Sequence, residues 1–314
     1  VIYGRILFCV EKEKNYGIIK EKELISMKAL LCKLLSGVIT LISLIAFAVN
    51  QPTIPNPTKK VDMSKFTLTF EDEFEDELDR SVWSGHYTYG DKSSIRKGSY
   101  WNNYMAYTEN GNLIIPLRYL PDGMGVTGAG WYTAGLDTDS DAPNGFSQKF
   151  GYFECRCILP KGADIWSAFW MMNENVYTVD GSGRDGTEVD IMESFSYGKR
   201  ISNVIQSNLH WDGYDEAHQI GKAKKAYVIG NNPYEEFNTY GLEWNENEYI
   251  FYVNGKEYCR SNAGGVCQNP LYLILSVEMW GENAVPLDRD ADSAPADYIV
   301  DYVRAYQYKD LLNK

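Results

Sequence analysis

Short stretches in which apolar and polar residues alternate dominate the chain from Phe66 onward. Alternate residues of a β-strand lie on the same face, so this pattern predicts strands with one buried face. No segment of comparable length shows a clean helical period, and Gly, Asn and Asp separate the runs. Asn254-Gly255 predicts a two-residue hairpin turn, because both residues tolerate positive φ. The pattern predicts an all-β sandwich or barrel, and its clearest runs are residues 66–70, 112–118, 150–159, 249–253 and 298–306.

The first 63 residues differ from this pattern. The chain begins with Val1, and we expect residues 1–26 to be an upstream artefact, with translation starting at Met27. Residues 27–48 are typical of a signal peptide: a positive region, an apolar run and then Ala46-Phe-Ala48, which resembles a cleavage site. A retained membrane anchor is the alternative, although the run is shorter than the ~20 residues of a stable span. Either interpretation implies export, and we expect a secreted protein. Residues 49–63 are Pro-rich and predict an extended linker, followed by one domain over residues 64–309.

The composition of the chain limits the classes of molecule that it could bind. A formal net charge of −13 over 314 residues argues against nucleic acid and against anionic membrane surfaces, which both require Lys and Arg. The aromatic fraction of 14% suits a carbohydrate-binding protein. A neutral polysaccharide is compatible with the charge, and a heavily sulfated one less so. We expect a monomer with no stable membrane insertion after signal cleavage.

Three carboxylates lie close together in Gly186-Thr-Glu-Val-Asp-Ile-Met-Glu-Ser194. Glu188 and Asp190 share one face of a strand, whereas Glu193 would lie on the other face of a regular strand. A β-bulge near Ile191 or Met192 would return Glu193 to the face of the other two acids. A solvated charged face is one interpretation. The other is the carboxyl pair of a retaining glycosidase, which stands about 5–5.5 Å apart.

The motif Glu188-Val-Asp-Ile-Met-Glu193 resembles the signature of glycoside hydrolase family 16, in its bulged form. The resemblance extends from about Phe66 to Tyr308. Further matching segments follow in the order that the family shows: Phe70-Glu-Asp-Glu-Phe74, Gly151-Tyr-Phe-Glu154, Trp166-Ser-Ala-Phe-Trp170, Tyr240-Gly-Leu-Glu-Trp244 and Asp301-Tyr-Val-Arg304. The resemblance implies a β-jelly roll of the concanavalin A type, with a substrate cleft on its concave sheet.

The resemblance also implies an endo-acting retaining glycoside hydrolase. Glu188 would be the nucleophile and Glu193 the acid/base, with Asp190 orienting Glu188; no redox or organic cofactor is required. β-1,3-Glucan or mixed-linkage β-glucan is the expected substrate. Endo-β-galactosidases and agarases share the signature and provide one alternative, and a non-catalytic carbohydrate-binding jelly roll provides another.

Several aromatic and polar residues are candidates for binding the sugar. Trp166 and Trp170 share one strand face, and an indole offers an apolar plate with an N–H group at its edge. Trp166 and His210 match positions that line the cleft in the family, whereas Trp170 is as compatible with the core. The remaining candidates are Tyr100, Trp101, Asn103 and Trp280, with Trp211 as a further aromatic.

Asp301 shares a predicted strand face with Ile299, Val303 and Ala305, where a lone charge is unfavourable. It therefore requires a partner. The resemblance implies a structural calcium held through Asp301, while a salt bridge fits nearly as well; Glu71 and Glu73 are possible neighbours. For the cysteines, we expect Cys155 and Cys157 to be small core residues, and a disulfide between Cys259 and Cys267 is left open.

Overall fold

The computed structural model describes residue 33 and residues 59–85, 98–124, 128–139, 142–162, 164–195, 203–227, 232–279 and 296–312, with the backbone alone over 222–227. The chain divides into two compact units, Val1–Gln51 and Pro52–Lys314. Of the first unit only Lys33, in an α-helix, is described. Apart from Lys33, the expected signal peptide at 27–48 lies outside the described residues, as does most of the linker. Within the described parts of the chain, no helix is long and apolar enough to cross a membrane.

The second unit is built from strands, as the alternation predicted. They are β1 (Phe66–Asp72), β2 (Ser99–Trp101), β3 (Tyr107–Glu109), β4 (Asn112–Leu120), β5 (Gly130–Thr133), β6 (Gly135–Asp137), β7 (Ser147–Gln148), β8 (Gly151–Ile158), β9 (Ile165–Met172), β10 (Glu188–Ser194), β11 (Val204–Trp211), β12 (Gln219–Tyr227), β13 (Asn238–Trp244), β14 (Tyr249–Val253), β15 (Lys256–Ser261), β16 (Leu271–Met279) and β17 (Ala296–Tyr308). Three 3-10 helices, Met63–Lys65, Asn103–Met105 and Glu174–Tyr177, and the short α-helix Lys309–Leu312 complete the described elements of this unit.

The strands form two sheets, which confirms the predicted jelly-roll sandwich. Over the described residues, the larger sheet has the order β15-β14-β13-β8-β17-β4-β5-β2, with β1 also paired to β17 and β3 to β4. The smaller sheet has the order β12-β11-β10-β9-β16-β6, with β7 paired to β16. Each described pairing is antiparallel except that of β2 with β5. The smaller sheet carries the acidic strand β10 near its middle.

The core lies between the two sheets and is filled by alternate residues of their strands. Phe153, Cys155 and Cys157 on β8 are fully buried and pack in the same cluster as Val189 and Met192 on β10. Burying an aliphatic or Met side chain contributes roughly 1.5–3 kcal/mol, so the inward residues of β10 anchor that strand. The prediction that Cys155 and Cys157 are core residues is confirmed. Cys259 and Cys267 are also buried, and both are free thiols.

The turn between β14 and β15 has the predicted geometry. Asn254 has φ 50° and Gly255 has φ 68°, both in the left-handed region that a two-residue hairpin requires. The side-chain oxygen of Asn254 also accepts a hydrogen bond from the Thr239 backbone N–H, at 2.9 Å. The hairpin is thereby held against the neighbouring strand β13.

The expectation for Asp301 is wrong in its strand face. The pairing of β17 with β8 shifts register between Val300 and Tyr302, so an irregularity interrupts the alternation there. Asp301 is therefore half-exposed instead of sharing a buried face with Val303 and Ala305. Its carboxylate pairs with the guanidinium of Arg156.

Candidate active site

A single bulge in β10 sets the direction of the three acids. Against β9, Asp190 pairs with Trp170 and Met192 pairs with Phe169, which leaves Ile191 as the extra residue. The pairing with β11 shifts over the same stretch. The predicted bulge near Ile191 or Met192 is thus confirmed, and it turns two successive apolar residues toward the core.

The acids consequently line one cleft on the smaller sheet, with a volume of about 270 Å³. Its walls come from five neighbouring strands and from the loop before β12. The cleft is rich in carboxylate, imidazole and indole groups, and it has neither Lys nor Arg among its described lining residues. These residues are Trp166, Ala168, Trp170, Glu188, Asp190, Glu193, Gln206, Asn208, His210, Tyr214, His218, Ile220, Ser276 and Glu278.

Glu188 is nearly buried beside another acid. The hydroxyl of Tyr214 donates a hydrogen bond to Glu188 Oε2, and Nε2 of His210 lies 3.9 Å from Glu188 Oε1. Burial and the charge of Asp190 raise the pKa of Glu188 to about 8, although His210 and Tyr214 oppose the rise. Near neutral pH the free site therefore holds a proton that an exposed carboxyl would have released.

Three N–H groups surround Glu193. The indole Nε1 of Trp166 donates to Glu193 Oε1 at 2.9 Å. The side-chain amides of Gln206, at 3.2 Å, and of Asn208 donate to Oε2. Glu193 is 6% exposed, so these donors replace much of the hydration that the carboxyl loses. They also fix its direction in the cleft.

Asp190 lies between Glu188 and Glu193 on β10 and contacts His210. Its Oδ2 atom is 3.3 Å from His210 Nε2. The register of β10 with β11 places Glu188 opposite His210 and Asp190 opposite Asn208. Strand pairing thus supplies each of the three acids of β10 with a polar neighbour from β11.

A side chain from β11 also supports the bulge from the core side. The hydroxyl of Ser207 donates to the backbone carbonyl of Ile191 at 2.8 Å and contacts the hydroxyl of Tyr258 on the larger sheet. Ser207 is fully buried. The residue that creates the bulge is therefore hydrogen-bonded through Ser207 to the opposite layer of the sandwich.

The other residues proposed from the sequence have different environments. Trp170 lines the cleft, but its indole N–H donates to Ser276 at 3.1 Å and its ring packs in a buried cluster. Trp101 is in that same cluster, is 3% exposed and donates to the carbonyl of Val277. The prediction of a stacking platform at Trp101 is wrong, because no open indole face remains.

Tyr100 and Asn103 lie outside the cleft lining. The Tyr100 ring stacks on Tyr132 at 5.0 Å between centroids, and Asn103 begins a 3-10 helix. Their roles in binding remain predictions. Trp280 lies outside the described residues. Trp211 packs against the main core and against Gly264, which favours a structural role.

Sequence reasoning missed four cleft residues that contact the acids of β10 or His210. Gln206 and Asn208 belong to the same strand as His210 and could have been found from its period of two. Tyr214 and His218 reach the cleft from the loop between β11 and β12, whose path no periodic pattern predicts. Neither was proposed as a site residue.

Metal binding does not fit the surroundings of Asp301 as they stand. Arg156 occupies its carboxylate, and Glu73 pairs with Arg304 at 2.6 Å instead of approaching Asp301. Of the two alternatives for Asp301, the salt bridge is the one that the structure contains. In the described part of the chain, the acid and imidazole atoms that converge within 4.8 Å are those of Glu188, Asp190 and His210. We do not assign a metal there, because it would neutralise the carboxylates of the cleft.

The chain is similar to known proteins over much of its length. A family model described as beta-porphyranase A-D, GH16 domain, matches residues 66–308. Among curated proteins, a beta-glucanase of Rhodothermus marinus is 26% identical over 72% of this chain and 85% of its own length. Beta-porphyranase B of Zobellia galactanivorans is 29% identical over 65% of this chain and 72% of its own length. Three other relatives are longer, and the chain spans 33% to 40% of them.

Solved structures show the same likeness. The laminarinase catalytic domain of Thermotoga maritima is 26% identical, with a TM-score of 0.60 over 77% of this chain and 98% of that domain.

Proposed function

The chain belongs to glycoside hydrolase family 16 and is an endo-acting glycoside hydrolase, and we propose that it cleaves a neutral β-linked polysaccharide with retention of configuration. β-1,3-Glucan or mixed-linkage β-glucan is the first candidate substrate. The observation that carries the proposal is the bulge in β10, which turns Glu188, Asp190 and Glu193 into one cleft. Three buried acids on one strand face are unfavourable for stability, and a retaining hydrolase has a use for each of them.

In the proposed reaction Glu188 attacks the anomeric carbon and the bond to the leaving oxygen breaks as Glu193 protonates that oxygen. A covalent glycosyl-enzyme results. Glu193, now ionised, then takes a proton from water, and the water oxygen displaces Glu188 to release the sugar. Asp190 and His210 lie beside Glu188 and orient its carboxylate.

The position of the proton is central to this scheme. In the free protein, the raised pKa places a proton on Glu188 near neutral pH, whereas attack requires Glu188 ionised. Positive charge develops at the anomeric carbon in the transition state, which favours the ionised form of an adjacent carboxyl. We therefore assign the nucleophile and the acid/base from the positions of Glu188 and Glu193 on the strand, and not from the protonation of the free protein. We expect the proton to lie on Glu193 when the sugar is bound.

The charge of the cleft supports a neutral substrate. Its described lining contains the carboxyls of Glu188, Asp190, Glu193 and Glu278, with no Lys or Arg. A sulfate ester placed next to the cleaved bond would face like charges, which is unfavourable in a partly buried site. Glucans and unsubstituted galactans carry no such group.

A β-galactan is the second candidate. It is favoured by the family model, which is described as a porphyranase domain and matches 66–308. The cleft chemistry above applies equally to a neutral galactan. The two candidates differ in sugar stereochemistry, which the carboxyl groups alone do not select.

The test is the release of reducing ends from laminarin, barley mixed-linkage glucan, agarose, porphyran and mucin O-glycans. Wild-type protein is compared with Glu188→Gln and Glu193→Gln, each of which keeps the size of the side chain. We expect release from a neutral polymer, and its loss in both variants. Anomeric NMR of the first product should show the β-form. A first product with inverted configuration, or full activity in either variant, would refute the proposal.

A further inference from the structure

His210 and His218 form a pair at one end of the cleft. Their rings are nearly parallel, at 9° with centroids 5.0 Å apart. Nδ1 of His210 lies 2.8 Å from Nε2 of His218, within hydrogen-bond distance. His210 is on β11 opposite Glu188, whereas His218 comes from the loop that precedes β12.

The other nitrogen of His210 faces acids. Its Nε2 lies 3.3 Å from Asp190 Oδ2 and 3.9 Å from Glu188 Oε1. An ionised carboxylate can only accept hydrogen bonds, so Nε2 must carry a proton to interact favourably. A flip of the ring would instead present carbon atoms to both Asp190 and His218. The contact between Nδ1 and His218 therefore determines which edge of His210 faces the acids.

We propose that His218 is a positioning residue for the nucleophile: it fixes the His210 ring so that Nε2 faces Asp190 Oδ2 and Glu188 Oε1. The inference rests on the proposed function of Glu188. A partner on the far nitrogen of a functional imidazole sets both its tautomer and its orientation. The N–H that is held in this way favours the ionised forms of the two carboxyls.

The groups around the pair agree with this role. Glu188 and Asp190 face it from β10, and the Tyr214 ring lies 5.7 Å from that of His218. Ile220 of β12 completes this end of the cleft with an apolar side chain. Burial and the charge of His210 lower the pKa of His218, which favours its neutral form.

Two substitutions separate positioning from packing. His218→Leu removes the hydrogen-bonding nitrogen, whereas His218→Gln keeps an amide that can bond to Nδ1 of His210. Gln219→Ala is the matched control, since the side chain of this exposed neighbour donates to the carbonyl of Ala217 and has no other described hydrogen bond. The first measurement is kcat/KM between pH 5 and 10.

Because attack needs ionised Glu188 and protonated Glu193, we expect a bell-shaped profile of kcat/KM, with an acidic limb that rises with pH as Glu188 ionises. In His218→Leu the rise should move upward by about one pH unit, with about a tenfold loss on the acidic side and little loss above it. His218→Gln should follow wild type. An unchanged profile in His218→Leu, or one lowered by the same factor at every pH, would overturn the proposal.

A second measurement needs no substrate. The chain has three histidines, so the imidazole N–H of His210 can be assigned in a proton–nitrogen NMR spectrum. A slowly exchanging N–H resonance should be present in wild type and His218→Gln and lost in His218→Leu. Equal resonances in all three would overturn the proposal. Failure of the proposed function would look different, since wild type would then cleave none of the glycans while the resonance still reported the contact.

Discussion

Replacing Glu188 with Gln should make the protein more stable, by an amount that grows with pH. Burial and Asp190 raise the pKa of Glu188 from its ordinary value of 4.5 to about 8. Between these pH values the folded protein keeps a proton that the unfolded chain has released. Stability is therefore lost as pH rises through this window. At 1.36 kcal/mol per pKa unit, the full effect is about 5 kcal/mol.

Gln keeps the oxygen that accepts the Tyr214 hydroxyl, but it does not titrate. The free energy of unfolding of Glu188→Gln minus that of wild type should be smallest near pH 4.5 and should rise by several kcal/mol by pH 9. Urea unfolding, followed by the fluorescence of the eight tryptophans, measures this difference.

Asp190→Asn provides the control. It removes the second-largest cause of the raised pKa, so the stability of that variant should depend less on pH than that of wild type. A difference between wild type and Glu188→Gln that stays constant from pH 5 to 9 would refute the reasoning. It would show that Glu188 is not held in an environment that opposes its charge.

Two further predictions concern the supports of the site and of the sheet. Ser207→Ala removes the donor to the Ile191 carbonyl and should reduce the free energy of unfolding by about 1–3 kcal/mol, as measured by urea unfolding. It should also lower kcat about tenfold with little change in KM, as measured by steady-state kinetics. A wild-type kcat in this variant would show that the bulge does not need Ser207. Asp301→Asn breaks a half-exposed pair with Arg156 and should cost at most about 1 kcal/mol, with the same Tm in calcium and in EDTA for both proteins. A calcium-dependent Tm in wild type that Asp301→Asn abolishes would instead support the calcium site.

The sequence predicted the sheet architecture and the bulge in β10, because both follow from the alternation of side chains between the two faces of a strand. Glu193 is on the wrong side of a regular strand, and its carboxyl could reach the other acids only through an extra residue. The irregularity in β17 had no such signal. Nothing in the residues around Asp301 required a change of face, so regular alternation was assumed there and was wrong.

The positions of loop residues and the roles of aromatic residues were harder to predict, for a different reason. Tyr214 and His218 enter the cleft from a loop, and their positions depend on its full path in space. Trp101 was assigned to the cleft because its aromatic ring could serve either a sugar or a core. Only the packing around it, with its N–H on the Val277 carbonyl, distinguishes the two uses.

The extra residue in β10 also constrains how mutation can silence this site. Deleting the codon for Ile191 would restore a regular strand in which Glu193 follows Glu188 by four residues, so the Glu193 side chain would stay on the cleft face. The deletion would remove one buried apolar side chain and the backbone carbonyl that accepts a hydrogen bond from Ser207, so its cost would fall on the core and not on the direction of the acids. Loss of this one residue would therefore leave the three acids on one face, whereas a substitution at any of them would remove the carboxyl group itself.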